Sequence, residues 1–246
     1  MAYLPALREF TARLLARVPA VCGLCHDSAY GGQLCGYCYQ AVTQSMVSGA
    51  LRCQVCQLAL DSQGACPDCT QHTPAFDRVI AAFDYAAPGD LLIHRLKVQR
   101  QFTSANMLAG LLADAVRATQ PVLPEQLVLV PVPASRTALL RRGFNPAAEL
   151  AYSLARRLQR PCRPGLVIRM REGVKQSQLG RSARMHSVQS LYACPRSLHG
   201  AHIAVVDDVL TTGSTLHSIA QALKAAGAAS VWGLILARTP YHVGDH

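Results

Sequence analysis

His202-Ile203-Ala204-Val205-Val206-Asp207-Asp208-Val209-Leu210-Thr211-Thr212-Gly213-Ser214-Thr215 is an apolar run that ends in two carboxylates and passes into a loop of small residues. Leu216-His217-Ser218-Ile219-Ala220-Gln221-Ala222-Leu223-Lys224 follows with apolar residues at helical spacing. Strand, acidic tip, short loop and helix start in that order predict a ligand site at the carboxyl end of a sheet strand. Residues 211–215 can turn several backbone N–H groups and hydroxyls toward one point, and the helix behind adds its positive dipole end. Such a point suits a phosphate. Adjacent carboxylates suit vicinal hydroxyls such as those of a ribose, or a divalent cation. Together the two halves suit a ribose 5-phosphate. The plain alternative is a buried strand with a polar exit loop and a helix cap at Ser214.

Outward from this stretch, strands are expected at residues 78–85, 127–132, 166–170, 202–207 and 231–237. Helices are expected at 90–97, from about 103 to 118, from the Asn145-Pro146 cap to about Leu158, and at 214–226 with Gly227 as the stop. Alternating strands and helices predict an α/β domain, a parallel sheet flanked by helices. Residues 173–186 are polar, basic and without period, so a loop is expected there. Thr73-Pro74 marks a boundary. At the other end, residues 3–18 place Leu4, Leu7, Phe10, Leu14, Leu15 and Val18 near one helical face. That predicts a helix over residues 1–20 docked on its own protein, with a transit peptide or membrane-surface helix as the alternatives.

Eight of the ten cysteines fall between residues 22 and 69 as four Cys-x-x-Cys pairs: Cys22/Cys25, Cys35/Cys38, Cys53/Cys56 and Cys66/Cys69. Nine residues separate the pairs of each repeat, and the pattern recurs after 31, so residues 21–73 are an internal duplication. Two such turns complete a tetrahedral four-cysteine site, and two structural zinc ions are expected. A segment this short buries too little apolar surface to fold without the metal. Four cysteines also hold iron–sulfur clusters, and disulfides would require an oxidising compartment. Pairing within each repeat is the default, a crossed arrangement the alternative. Cys162 and Cys194 stand apart and are read as small apolar residues.

The 246 residues are half hydrophobic, enough for a sizeable core. Residues 1–74 hold four Lys/Arg against four Asp/Glu, so the net charge of +10 lies wholly in residues 75–246. A basic domain implies anionic partners. No apolar run of membrane-spanning length occurs, and Arg8, Glu9, Arg13 and Arg17 interrupt the start of the chain. A cytoplasmic location is expected. Residues 136–184 hold twelve Lys/Arg and two acids, Glu149 and Glu172, with Arg156 and Arg160 on one helical face.

The stretch 202–215 resembles the phosphoribosyl pyrophosphate (PRPP) loop of type I phosphoribosyltransferases: strand, two acids, an apolar and a variable residue, then Thr-Thr-Gly-x-Thr. Val130-Pro131-Val132-Pro133 with Arg136 stands where that class places a pyrophosphate loop. Arg141-Arg142-Gly143-Phe144-Asn145, together with the Cys-x-x-Cys region, resembles the ComF/GntX family of competence-associated proteins, over nearly the whole chain. The resemblance implies a type I phosphoribosyltransferase-like domain over residues 74–246, preceded by a small double zinc ribbon at 21–73. It implies PRPP binding with Mg²⁺ by residues 209–215, with Asp207 and Asp208 holding the ribose and its developing positive charge. Lys97, Arg141 and Arg142 would meet the phosphates. Gln176, Leu179 and Arg184 match the family, whereas Ser187 stands where an Asn is usual. No segment spells out a pocket for a particular acceptor. The rival reading is a binding protein that handles single-stranded DNA during uptake beside a helicase-like ATPase. Its stacking aromatics would be Phe144, Tyr152 and Tyr192. In a third, the cysteine segment is only a brace or a docking module.

Overall fold

The computed structural model describes residues 14, 17–47, 51–98, 102–120, 122–170 and 191–241. The expected first helix and the loop at 173–186, with Gln176, Leu179, Arg184 and Ser187, lie mostly or wholly outside these.

Four parallel strands form the central sheet: β3 (Arg78–Asp84), β4 (Leu127–Pro131), β7 (His202–Leu210) and β8 (Ser230–Arg238), in the order β3-β8-β7-β4. Both central strands are buried on two faces, which is why they read as unbroken apolar runs rather than as alternating ones. Successive side chains of β7 point to opposite faces. Ala204 and Val206 join one core, with α2 (Gly89–Val98), α3 (Phe102–Ala118) and α5 (Pro146–Leu158). Ile203 and Val205 join the other, with α6 (Ser214–Ala225).

The two cysteine repeats divide between these faces. The first, with β1 (Pro19–Val21), β2 (Ser28–Tyr30) and α1 (Gly36–Val47), contributes Cys22, Cys38 and Val42 to the core that holds α3 and α5. The second contributes Cys53, Cys56, Leu58 and Cys66 to the core that holds α6. Each repeat therefore completes a core of the sheet domain. Arg52 clamps the second repeat to the end of β3, donating to both Asp84 carboxylate oxygens at 3.0 and 2.6 Å.

Three expectations change. The strand expected to end at Asp207 continues to Leu210, because Asp207, Val209 and Leu210 still pair with Ile235, Ala237 and Arg238 of β8. The strand expected at 166–170 shrinks to β5 (Ile168–Arg169), which pairs antiparallel with β6 (Tyr192–Ala193) outside the main sheet. A short helix, α4 (Arg136–Arg142), stands where the sequence predicts no element. The Ser135 hydroxyl accepts from the Ala138 amide at its start, and Gly143 stops it at φ 81°, a left-handed conformation that costs glycine little.

Helix α2 brings Lys97 to the sheet's carboxyl edge, and its first residue has no room for a side chain. A Cβ on Gly89 would stand 2.7 and 2.9 Å from ring atoms of Phe83, which is fully buried. Gly89→Ala is therefore expected to cost about 1–3 kcal/mol through overpacking, read from the denaturant midpoint. No described helix is long and apolar enough to cross a membrane.

Candidate functional site

Strand β7 carries the two acids to the end of the sheet beside the strand that leads into Pro131, Val132 and Pro133. The Val132 amide donates to the Val206 carbonyl at 3.0 Å, so the Val-Pro loop departs alongside Asp207. Asn145 ties the next segment to the same place: its Oδ1 caps α5 by accepting from the Ala147 amide at 3.1 Å, and its Nδ2 donates to the Val132 carbonyl at 2.9 Å. One side chain thus starts a helix and anchors the loop, which accounts for an Asn just before Pro146.

Asp207 is partly buried, and its Oδ1 accepts the Asp208 amide at 2.9 Å. Burial, and then the neighbouring Asp208 carboxylate, push its pKa up to about 7. Asp208 is ion-paired with Lys97 at 3.0 Å. The site therefore gathers two carboxylates and one ammonium, with oxygen donors of the kind that suit a divalent cation.

The loop turns at Gly213, with φ 78°, directly before α6, and Gly213 at the cap position has no side chain to offer. The Thr212 hydroxyl donates to Ser214 Oγ at 3.2 Å and accepts the Ser214 amide at 3.4 Å. Thr211, Thr212, Ser214 and Thr215 are exposed. The head of α6 thus lies among exposed hydroxyls, an arrangement suited to an anion.

The remaining expected residues sort by exposure. Arg136 and Arg141 are exposed, Arg142 and Phe144 half-buried. Arg156 is exposed, but Arg157 donates to the Asn106 carbonyl at 3.0 Å, and Arg160 lies beyond the end of α5 at Leu158 and donates to the Glu125 carbonyl, so Arg156 and Arg160 do not share the one helical face expected of them. Tyr152 is 46% exposed, whereas Tyr192 is 3% exposed and cannot stack on a base. Its ring instead packs 5.9 Å from the Arg169 guanidinium, with the Thr215 side chain near its hydroxyl. Arg238 was missed altogether, and Tyr192 was expected only as a stacking aromatic, not as a part of this site. Neither lies in a local motif, and only their contacts with the loop mark them.

Both four-cysteine sets assemble within their own repeat, with all four sulfurs of each within 4.8 Å of one another. None is in a disulfide. Sulfur separations of 3.7 Å (Cys25–Cys35), 3.8 Å (Cys53–Cys69) and 3.5 Å (Cys56–Cys66) approach the edge of a tetrahedron built on Zn–S bonds of about 2.3 Å. Backbone amides point at the sulfurs: Cys35 to Cys22 at 3.4 Å and Val55 to Cys53 at 3.4 Å. Burial raises the Cys22 thiol, but the amides of Cys35, Cys25 and Leu24 outweigh it and hold it at about 6, while burial and its neighbours push Cys38 up to about 12. Four thiolates this close need a dication between them. The donor sets fit zinc.

The phosphoribosyl transferase domain family matches residues 137–240. The DNA utilization protein YhgH of Salmonella typhimurium is 35% identical over 90% of this chain and 98% of its own. Competence protein F of Haemophilus influenzae is 34% identical over 69% of this chain and 77% of its own. Competence protein ComFC of Bacillus subtilis is 34% identical over 55% of each chain. Joined to the loop at the end of β7 and the paired four-cysteine repeats, these likenesses mean that the chain belongs to the ComF family of competence-associated proteins with a phosphoribosyltransferase domain.

Proposed function

We propose that residues 207–215 bind the ribose 5-phosphate half of PRPP, with Asp207 and Asp208 on the ribose hydroxyls and residues 211–215 on the 5-phosphate. The observation that carries this is the succession of two adjacent aspartates, a turn at Gly213 and a helix start set among the exposed hydroxyls of Thr211, Thr212, Ser214 and Thr215. Pro131, Val132 and Pro133 border the aspartates, and Arg136, Arg141 and Arg142 lie on the helix that follows that loop, suited to a pyrophosphate. Asp207 and Asp208 offer oxygen ligands for Mg²⁺, which would neutralise charge on the pyrophosphate.

The reaction class is displacement at the anomeric carbon. An acceptor forms a bond to that carbon, the bond to pyrophosphate breaks, and pyrophosphate leaves with the electron pair. Positive charge that develops on the ribose is met by the two carboxylates. A phosphate bound beside the aspartates would compete with Asp208 for the Lys97 ammonium, which pairs with that carboxylate at 3.0 Å.

Asp207→Ala combined with Asp208→Ala tests the assignment by thermal shift with PRPP and Mg²⁺. Wild type is expected to gain stability that grows with ligand concentration, about 2.7 kcal/mol at one hundred times Kd. The double variant is expected to show none while keeping its far-UV spectrum. An unchanged shift in the variant would remove the aspartates from the site.

Single-stranded DNA is the second reading. It is favoured by exposed Arg136, Arg141, Arg156 and Arg163 in the segment where the net charge concentrates, and by relatives named for competence and DNA utilization. Such binding works by counterion release and weakens steeply with salt, with little sequence preference.

A further inference from the structure

Arg238 ends β8 and is 2% exposed, yet its guanidinium touches two separate functional segments. Nε donates to the carbonyl of Cys56 at 3.1 Å, and Nη2 donates to Asp68 Oδ2 at 2.7 Å. Both acceptors belong to the second cysteine repeat: Cys56 is one of its four sulfur donors, and Asp68 precedes another, Cys69. Nη1 points the other way, to the carbonyls of Leu210 at 3.2 Å, Thr211, and Thr239 at 3.0 Å. Leu210 and Thr211 are where the strand becomes the phosphate loop.

The same two segments face each other across a cavity of about 430 Å³, with Gln71 and His72 on the repeat's side and Thr212 and Gly213 on the loop's. His217, in the first turn of α6, accepts the Ala75 amide at 3.1 Å and adds a second tie. The first cysteine repeat packs into the core on the opposite face of the sheet.

A guanidinium is planar and its donors are fixed relative to one another, so a shift at one set of acceptors is passed to the other. We propose that Arg238 is a positioning residue that couples the second four-cysteine centre to the loop 211–215. The loop keeps its ligand-binding shape while that centre holds its metal, and a ligand on the loop in turn retains the metal. Such coupling is reciprocal by linkage. Only the identity of the ligand rests on the reading given under Proposed function; the coupling rests on the contacts of Arg238.

The test uses the full chain loaded with zinc, a zinc-selective chelator and a thiol-alkylating reagent. Mass spectrometry follows alkylation of the two cysteine sets separately, and amide exchange follows residues 210–216. Ribose 5-phosphate with Mg²⁺ is expected to slow alkylation of Cys53, Cys56, Cys66 and Cys69 about fivefold or more, and to leave the first set unchanged. Arg238→Lys keeps the charge but loses the fork. It is expected to hasten alkylation of the second set and exchange of the loop, to abolish the ligand effect, and to leave exchange in β7 at residues 203–206 as in wild type.

If ribose 5-phosphate does nothing in wild type but Arg238→Lys still hastens both readouts, the coupling stands and the ligand reading falls. If Arg238→Lys changes neither readout, the coupling is overturned. Equal acceleration of both cysteine sets overturns it too, because that is general destabilisation.

Discussion

Asp207→Asn is expected to make the ligand-free protein more stable than wild type at pH 8 and no more stable at pH 4. Burial beside Asp208 raises the Asp207 carboxyl from 3.8 to about 7 in the folded protein. Between those values the folded state binds the proton that the unfolded state has released. Stability from this group is therefore present at low pH and is lost as pH rises through about 7. An amide carries no charge to desolvate and can still accept the Asp208 amide through Oδ1, a bond of 2.9 Å in wild type. The gain at pH 8 is expected to be about 1–3 kcal/mol, less than the full shift implies because the site is only partly closed. Denaturant midpoints at a series of pH values measure it. Equal midpoints at pH 8 would mean that the carboxylate is not under strain. A residue that destabilises its own fold in this way fits a binding role, where a cation or ribose hydroxyls would compensate the charge.

Removal of metal is expected to cost the protein its cooperative fold. Elemental analysis should return two zinc ions per chain, one for each four-cysteine set. A four-cysteine zinc site contributes on the order of 10 kcal/mol of folding free energy, comparable with the whole stability of an ordinary domain. The loss would not stay local, because Cys22 and Cys38 are part of one core of the sheet and Cys53, Cys56 and Cys66 part of the other. Chelation should therefore change the fluorescence of Trp232, which sits in β8 at 8% exposure, along with the far-UV spectrum. Unfolding confined to residues 17–73, with Trp232 unperturbed, would contradict the shared cores. Iron with a visible absorption band would replace zinc as the metal.

Much of this molecule was legible because its information is contiguous. The strand, two acids, small-residue loop and helix of residues 202–225 succeed one another along the chain, so each local preference is visible beside the next. The cysteine sets were legible for the same reason: a metal site built from two close turns requires fixed short spacings, and the spacings recur. Asn145-Pro146 announced a helix start through chemistry that acts within three residues. The tertiary structure decided the rest. Two repeats with identical spacing lie on opposite faces of one sheet, a choice that depends on which core each apolar set completes. Strand β7 runs past its acids because β8 continues to pair with it. Arg156, Arg157 and Arg160 looked alike by periodicity, yet α5 ends at Leu158 and the carbonyls of Asn106 and Glu125 engage Arg157 and Arg160. Lys97 meets Asp208, and Arg238 joins Cys56 to Thr211, only because the order β3-β8-β7-β4 folds distant segments onto one edge. Periodicity and spacing report what a residue prefers beside its neighbours in sequence; a contact between remote segments exists only once the strand order is set.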